Sequence, residues 1–330
     1  MRFPLFSVKT LMGLLFILSL VCLWADSANA ATADDLAAPP LTPVSLQLIW
    51  KHQFEFAGFY AAIEKGFYRE RGLEVELREY EEGLNVLDEV LSGQATYGLA
   101  NSSLIGWRLA GQPVKLLANY FKKTPLMILG QPGLRTLDDL KGRRLMMAGK
   151  DLRTPLIQVA LHEAGLVPGE NLTIVPHSFD CGPFIRGEVD AMAAFLGNES
   201  QELESKGIAF QVIELSHYLP GLGDDYLFTS DAEAAAHPER TRAFIDASNQ
   251  GWRYALDHPD EIVALILERY SQRKSREALR YEATRTRQLM LPNTLPVGSM
   301  SAARLALVAS ALLVTGNHGD VQYLDDFLFE

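Results

Sequence analysis

Residues 44–80 read VSLQLIWKHQFEFAGFYAAIEKGFYRERGLEVELREY, and the fold class follows from their periodicities. Val44-Ser45-Leu46-Gln47-Leu48-Ile49-Trp50 alternates and then turns fully apolar, which predicts a strand. Ala57 to Arg71 sets Phe59, Tyr60, Ile63 and Phe67 at helical spacing and stops at Gly72. Leu73 to Tyr80 alternates Leu, Val, Leu and Tyr with charged residues, a second strand. The same grammar continues forward: a helix over 84–91 ended by Gly93, a buried strand over 95–100, a helix opened by Ser102 and ending near Gly111, and a strand over 114–121. This βαβαβαβ order makes a parallel sheet with helices on both faces.

A second α/β unit follows. Strands are predicted over 126–129, 144–148, 172–176, 190–195 and 210–215, with helices over 136–142, 154–164, 183–186 and 200–206 between them. Past Tyr226 the pattern becomes mostly helical, over 238–258, 259–270, 275–291 and 301–313, with a short terminal strand or turn over 321–329. A helical tail that returns to cover the first unit makes two discontinuous lobes, 44–130 with 227–330 and 131–226. The chain then crosses between them near 125–132 and 222–230.

The ends and the composition narrow the setting. Arg2 and Lys9 precede an apolar run from Leu11 to Trp24, and Ala28-Asn29-Ala30 has the small-x-small form of a leader-peptidase site. Residues 1–30 therefore read as a secretory signal, 31–43 as a small, acidic, Pro-rich tether, and the mature chain as periplasmic. The apolar run falls short of the roughly 20 residues of a membrane span. Cys22 raises a lipoprotein alternative, but Val21 stands where such sites want a small residue. The formal net charge of −11 argues against nucleic acid as a partner, because phosphate binding needs a basic surface. With Cys22 removed, Cys181 is left without a disulfide partner or a cysteine-pair metal site. No Ser-His-Asp motif, zinc spacing or Gly-rich phosphate loop appears, so no catalytic residue, metal or cofactor is expected, and the chain reads as a binder rather than an enzyme.

Residues 50–68, from Trp50-Lys51-His52-Gln53-Phe54-Glu55-Phe56-Ala57-Gly58 to Lys65-Gly66-Phe67-Tyr68, resemble the opening of the NMT1/THI5-like periplasmic binding proteins. Gly72-Leu73-Glu74-Val75, 91–98, 136–144, 187–192 and His237-Pro238-Glu239-Arg240 continue the likeness, which spans roughly residues 44–300. It implies the type II periplasmic binding fold, two α/β lobes with mainly parallel sheets around a ligand cleft. It also implies a monomer that hands a small molecule to an inner-membrane ABC permease: a thiamin-precursor pyrimidine, a flavin, a sulfonate or nitrate. A stand-alone sensor module for a membrane kinase or cyclase is the alternative. The fungal pyrimidine synthases of this fold carry a cysteine-rich run where this chain has Leu222-Gly223-Asp224-Asp225-Tyr226-Leu227, so synthesis is disfavoured.

In open α/β sheets ligands sit beyond the carboxyl ends of the strands. After the first strand this rule selects Trp50, Phe54 and Phe56 as an aromatic face and His52 and Gln53 as hydrogen-bond partners; a loop that merely caps the core is the other reading. After the third come Asn101, Ser102 and Ser103, able to cap a helix or to meet a polar oxygen. Lys150, Arg153 and Thr154 follow the strand at 144–148, where the two cations suit an anionic group or a solvated loop. Asn198 and Glu199 follow the strand at 190–195 as acceptors for an amino-heterocycle or as a helix start. Asp224, Asp225 and Tyr226 lie at the second crossing, as cleft wall or acidic turn, with Asp224 and Tyr226 the preferred contacts.

Overall fold

The apolar runs read above as strands pair into two five-stranded sheets. A computed structural model describes residues 40–149, 151–291, 293–314 and 319–329, and Leu41–Glu330 forms one unit. The secretory signal and most of the tether lie outside the described residues. No helix among the described residues is long and apolar enough to cross a membrane.

In chain order the first unit contains β1 (Thr42–Gln47), α1 (Ala57–Glu64), β2 (Leu73–Arg78), α2 (Val86–Leu91), β3 (Tyr97–Ala100), α3 (Ser103–Leu109) and β4 (Val114–Phe121). The second contains β5 (Leu126–Gly130), β6 (Arg144–Met147), α4 (Pro155–Glu163), β7 (Thr173–Pro176), α5 (Gly182–Ile185), β8 (Ala191–Phe195), α6 (Glu199–Ser205) and β9 (Gln211–Ile213). After β10 (Asp224–Ser230) come α7 (Asp231–Ala236), α8 (Pro238–Asp257), α9 (Pro259–Leu265), α10 (Arg276–Met290) and α11 (Ala302–Val314). The sheets have the orders β2-β1-β3-β10-β4 and β7-β6-β8-β5-β9.

Three expectations are corrected. The tether ends earlier than residue 43, because Thr42 and Pro43 already pair with Leu73 and Glu74 in β1. The second crossing, expected near 222–230 with no strand assigned, holds one: β10 sits in the centre of the first sheet, antiparallel to β3 and to β4. Residues 126–130 belong with the second sheet and 224–226 with the first, the reverse of the expected division, because β5 pairs with β8 and β9 while β10 pairs with β3 and β4. Each sheet is therefore mixed. It is parallel among β1, β2 and β3, and among β6, β7 and β8, and antiparallel at β10 in the first sheet and at β5 in the second.

Side-chain alternation along β5 shows how the layers form. Leu126 and Ile128 join an apolar core that also holds Leu116 and Phe228 of the first sheet and Leu305 and Leu312 of α11. Met127 and Leu129 face the other way, into a cluster with Met146, Cys181 and Phe184. The helical tail covers the first sheet through α8, whose Phe244, Ala247, Ser248, Gly251, Trp252 and Ala255 recur at helical spacing and are buried. Here glycine is required by contact. A Cβ at Gly58 would lie 2.1 Å from the Trp252 ring, and one at Gly251 would lie 2.1 Å from the Gly58 carbonyl oxygen. The α1 and α8 backbones approach closely at these two residues, and this contact fixes the loop that precedes α1.

Candidate functional site

The carboxyl ends of β1, β3 and β8 meet the starts of the antiparallel β5 and β10 along one edge, and a cavity of about 90 Å³ opens there. β1 supplies Ile49 and Trp50, β3 supplies Asn101, and β8 leads to Phe195, Asn198 and Glu199. Leu126 begins β5, and Asp224 and Asp225 begin β10. Glu55 enters from the 3-10 turn Phe54–Phe56, and His177 and Phe179 from the loop after β7.

Two aromatic rings form one wall. Trp50 stacks on Tyr80 at 5.7 Å between ring centres and meets Phe179 of the other lobe at 5.6 Å. Phe179 is 56% exposed and has φ 59, a left-handed backbone that is costly for a bulky residue. Its N–H donates to His177 Nδ1 at 2.8 Å, and His177 Nε2 donates to the Ala193 carbonyl oxygen at 2.9 Å, which holds the ring beside the cavity.

Carboxyl groups form the floor. Consecutive strand residues ordinarily face opposite sides of a sheet. Asp225 has φ 49, a conformation aspartate tolerates better than most residues, and this breaks the alternation so that both aspartates line the cavity. All three inner carboxyls are buried. Burial pushes Glu55 up to about 7, and the charge of Glu282 adds to the rise, against the Gln53 amide and Lys274. Burial likewise lifts Asp224 to about 7. Asp225 is raised well above the usual range by burial, then by repulsion from Glu55 and Asp224, and its Oδ2 has no hydrogen-bond partner. Asp224 Oδ1 accepts from the Asp225 N–H at 3.0 Å, and the Glu55 N–H donates to Glu282 Oε1 at 3.1 Å. Lys274 spans the two lobes, donating to Glu282 at 2.9 Å and to the Asn198 side-chain oxygen. Neither lysine nor arginine is among the described residues that line the cavity. Such a floor accepts hydrogen bonds when ionised and donates them when protonated.

The structure brings Trp50, Asn101, Asn198, Glu199 and Asp224 together. Glu199 Oε2 accepts from the Phe195 N–H at 2.9 Å, and Asn101 caps α3 by accepting from the Ser103 N–H at 2.9 Å. Ser103 and Arg153 line an adjoining groove of about 660 Å³ that shares Ile49 and Asn101 with the cavity. The remaining candidates do not line the cavity and are held by local partners. His52 Nδ1 pairs with the Tyr60 hydroxyl at 3.0 Å, and burial lowers its ring basicity. Gln53 donates to Glu55, Phe56 is fully buried in the core, and Ser102 is buried at the start of α3. Thr154 Oγ1 donates to the Asp151 carbonyl oxygen at 2.7 Å, and the Tyr226 hydroxyl accepts from the Gly223 N–H at 3.2 Å. Lys150 lies outside the described residues. Cys181 is buried, and burial pushes its thiol far up, as an inert structural cysteine requires.

Sequence reasoning passed over Glu55, His177 and Phe179, and left Asp225 outside its preferred contacts. Glu55 carried a signal: it sits between Phe54 and Phe56, both fully buried, so a charge there is not placed for solvent. Phe179 carried none, because only the approach of the two lobes sets it against Trp50.

Comparison with known proteins agrees with this architecture. The chain is 26% identical over 270 residues to the riboflavin-binding protein RibY of Chloroflexus aurantiacus, covering 78% of this chain and 76% of the relative. It is 24% identical over 257 residues to a formylaminopyrimidine-binding protein of Halalkalibacterium halodurans, covering 76% and 77%. The alkanesulfonate-binding protein SsuA from Xanthomonas axonopodis pv. citri superposes with a TM-score of 0.65 at 16% identity, over 88% of this chain and 99% of that one, which shows the shared periplasmic-binding-protein fold. These relatives are binding proteins rather than enzymes. Residues 53–262, more than half of the chain, match the NMT1/THI5 like family, and the chain belongs to that family.

Proposed function

We propose that this protein is an exported solute-binding protein that captures a planar, amino-bearing nitrogen heterocycle, a pyrimidine of the thiamin-precursor type, and delivers it to an ABC permease as a monomer. The observation that carries the reading is the Trp50–Phe179 wall set against the buried carboxyls of Glu55, Asp224 and Asp225. Aromatic walls take flat rings. A carboxyl whose proton leaves near pH 7 serves as acceptor for a ring amino group or as donor to a ring nitrogen, the two functions an aminopyrimidine edge presents together. A sulfonate or nitrate ion would meet these acids and, among the described lining residues, no lysine or arginine. The relative that binds a formylaminopyrimidine supports the same class.

A second reading, a flavin, is favoured by the adjoining groove of about 660 Å³ and by the riboflavin-binding relative. The cavity itself, at about 90 Å³, suits a single small ring better.

Titration calorimetry with an aminopyrimidine, riboflavin, an alkanesulfonate and nitrate tests both readings. Saturable heat with the pyrimidine is expected, weakened roughly 5- to 150-fold in Trp50→Ala, the range of one base–aromatic stack. Heat with riboflavin alone selects the second reading; heat only with the anions sinks both. A permease gene beside this one, rather than a kinase or cyclase gene, would separate uptake from a sensory role.

A further inference from the structure

A second cavity, of about 210 Å³, borders β10, the strand that carries the two aspartates, and its charge is opposite. Asn119 of β4 and Tyr226 of β10 line it, with Lys122, Gly221, Ser301 and Arg304. Lys122 is 3% exposed. Its Nζ donates to the carbonyl oxygens of Asn119 and Ser299, and an ammonium has three donors, which leaves one for the cavity. Arg304 stands at the rim with its aliphatic stem over Gly221, where a Cβ would lie 3.4 Å from Arg304 Cγ. Helix α11 begins at Ala302, so the positive end of its dipole borders the space through Ser301. No aspartate or glutamate is among the described residues that line it.

We propose that this cavity binds a small oxyanion, of carboxylate or phosphate size, between Lys122 and Arg304. A buried ammonium is normally matched by an acid or fully hydrogen-bonded. Among the described residues Lys122 has two carbonyl partners and no acid, and burial followed by the charge of Arg304 pushes it down to about 8. An oxyanion supplies the missing negative charge, accepts from the third ammonium donor and from the guanidinium, and meets the α11 dipole at its favourable end. Gly221 lies on the second crossing between the sheets, so the bound anion ties that crossing to α11. The site is independent of the cleft ligand.

The full chain is titrated with sodium phosphate and, separately, with sodium acetate, at constant ionic strength, following Tm and heat. The expected result is a saturable response to at least one anion, weakened about tenfold or more in Arg304→Gln, as loss of a charge-assisted contact implies, and kept in Trp50→Ala. The relative strength of the two arms tells a phosphate site from a carboxylate site. Lys122→Met is a second variant; Arg304, being exposed, is the one whose replacement leaves the core untouched. No saturable response to either anion, or an unchanged response in Arg304→Gln, overturns the proposal. A response lost in Trp50→Ala but kept in Arg304→Gln places the anion in the cleft and overturns it equally.

Discussion

The cleft pocket and the cavity around Lys122 share strand β10 and oppose each other in charge. Asp224 and Asp225 line the first, and Tyr226, one residue on, lines the second. The same physics acts on both with opposite sign. Burial penalises whichever form is charged, so it raises Glu55 and Asp224 to about 7 and lowers Lys122 to about 8. The comparison teaches that a short strand segment can serve two sites when its alternation is broken, here by the left-handed Asp225. It also predicts that the two regions respond to pH in opposite directions.

The largest effect is expected in the cleft. Between about pH 4 and 7 the unfolded chain ionises Glu55 and Asp224 while the folded chain keeps their protons. The folded state then binds more protons, so this cluster loses stability as pH rises through that window and stays penalised above it. Asp225→Asn removes one raised acid, and asparagine also tolerates the left-handed backbone. At pH 8 the ligand-free variant should exceed the wild type in stability by up to a few kcal/mol, with little difference at pH 4. Denaturant unfolding at both pH values checks this; an equal difference at both breaks the account of the floor.

Lys122→Met comes next. The wild type should gain stability from about pH 8 to 10.5, because there the unfolded chain holds a proton that the folded chain has released. The variant should lack that alkaline gain. At pH 7 it should be less stable by about 1–3 kcal/mol, because the carbonyls of Asn119 and Ser299 lose their donor. Chemical unfolding across pH 7 to 10 measures both, and a variant that keeps the alkaline gain would remove Lys122 from the comparison.

Phe179→Ala should have the smallest effect. More than half of the ring is exposed, so only its face toward Trp50 is at stake. Ligand affinity should fall by about 0.5–1.5 kcal/mol, the range of one aromatic pair, without the pH signature of the other two variants. Calorimetry with the bound heterocycle reads it directly, and an effect as large as that of Trp50→Ala would make Phe179 an equal wall rather than a closing contact.

Much of this protein is legible from local pattern. The alternation at 44–50, the helical spacing of Phe59, Tyr60 and Ile63, and the glycines that stop each element mark two α/β units. The rule of strand ends then selects Trp50, Asn101, Asn198, Glu199 and Asp224, all of which line one cavity. These features are determined within a few residues, because backbone geometry makes side-chain direction a local property.

What the sequence did not determine depends on partners far along the chain. Strand β10 begins with two aspartates and reads as a turn, yet it lies between β3 and β4 with Tyr226 opposite Ala100 and Asn119. Glu55 sits between two aromatic residues, yet its acidic neighbour Glu282 is brought to it only by α10, more than two hundred positions on. Phe179 reads as an ordinary loop residue until the second lobe sets it on Trp50. Burial and charge environment are sums over residues more than a hundred positions apart. Tertiary structure alone therefore decided which strand segment carries the acids, which lysine is enclosed, and that the two face different cavities.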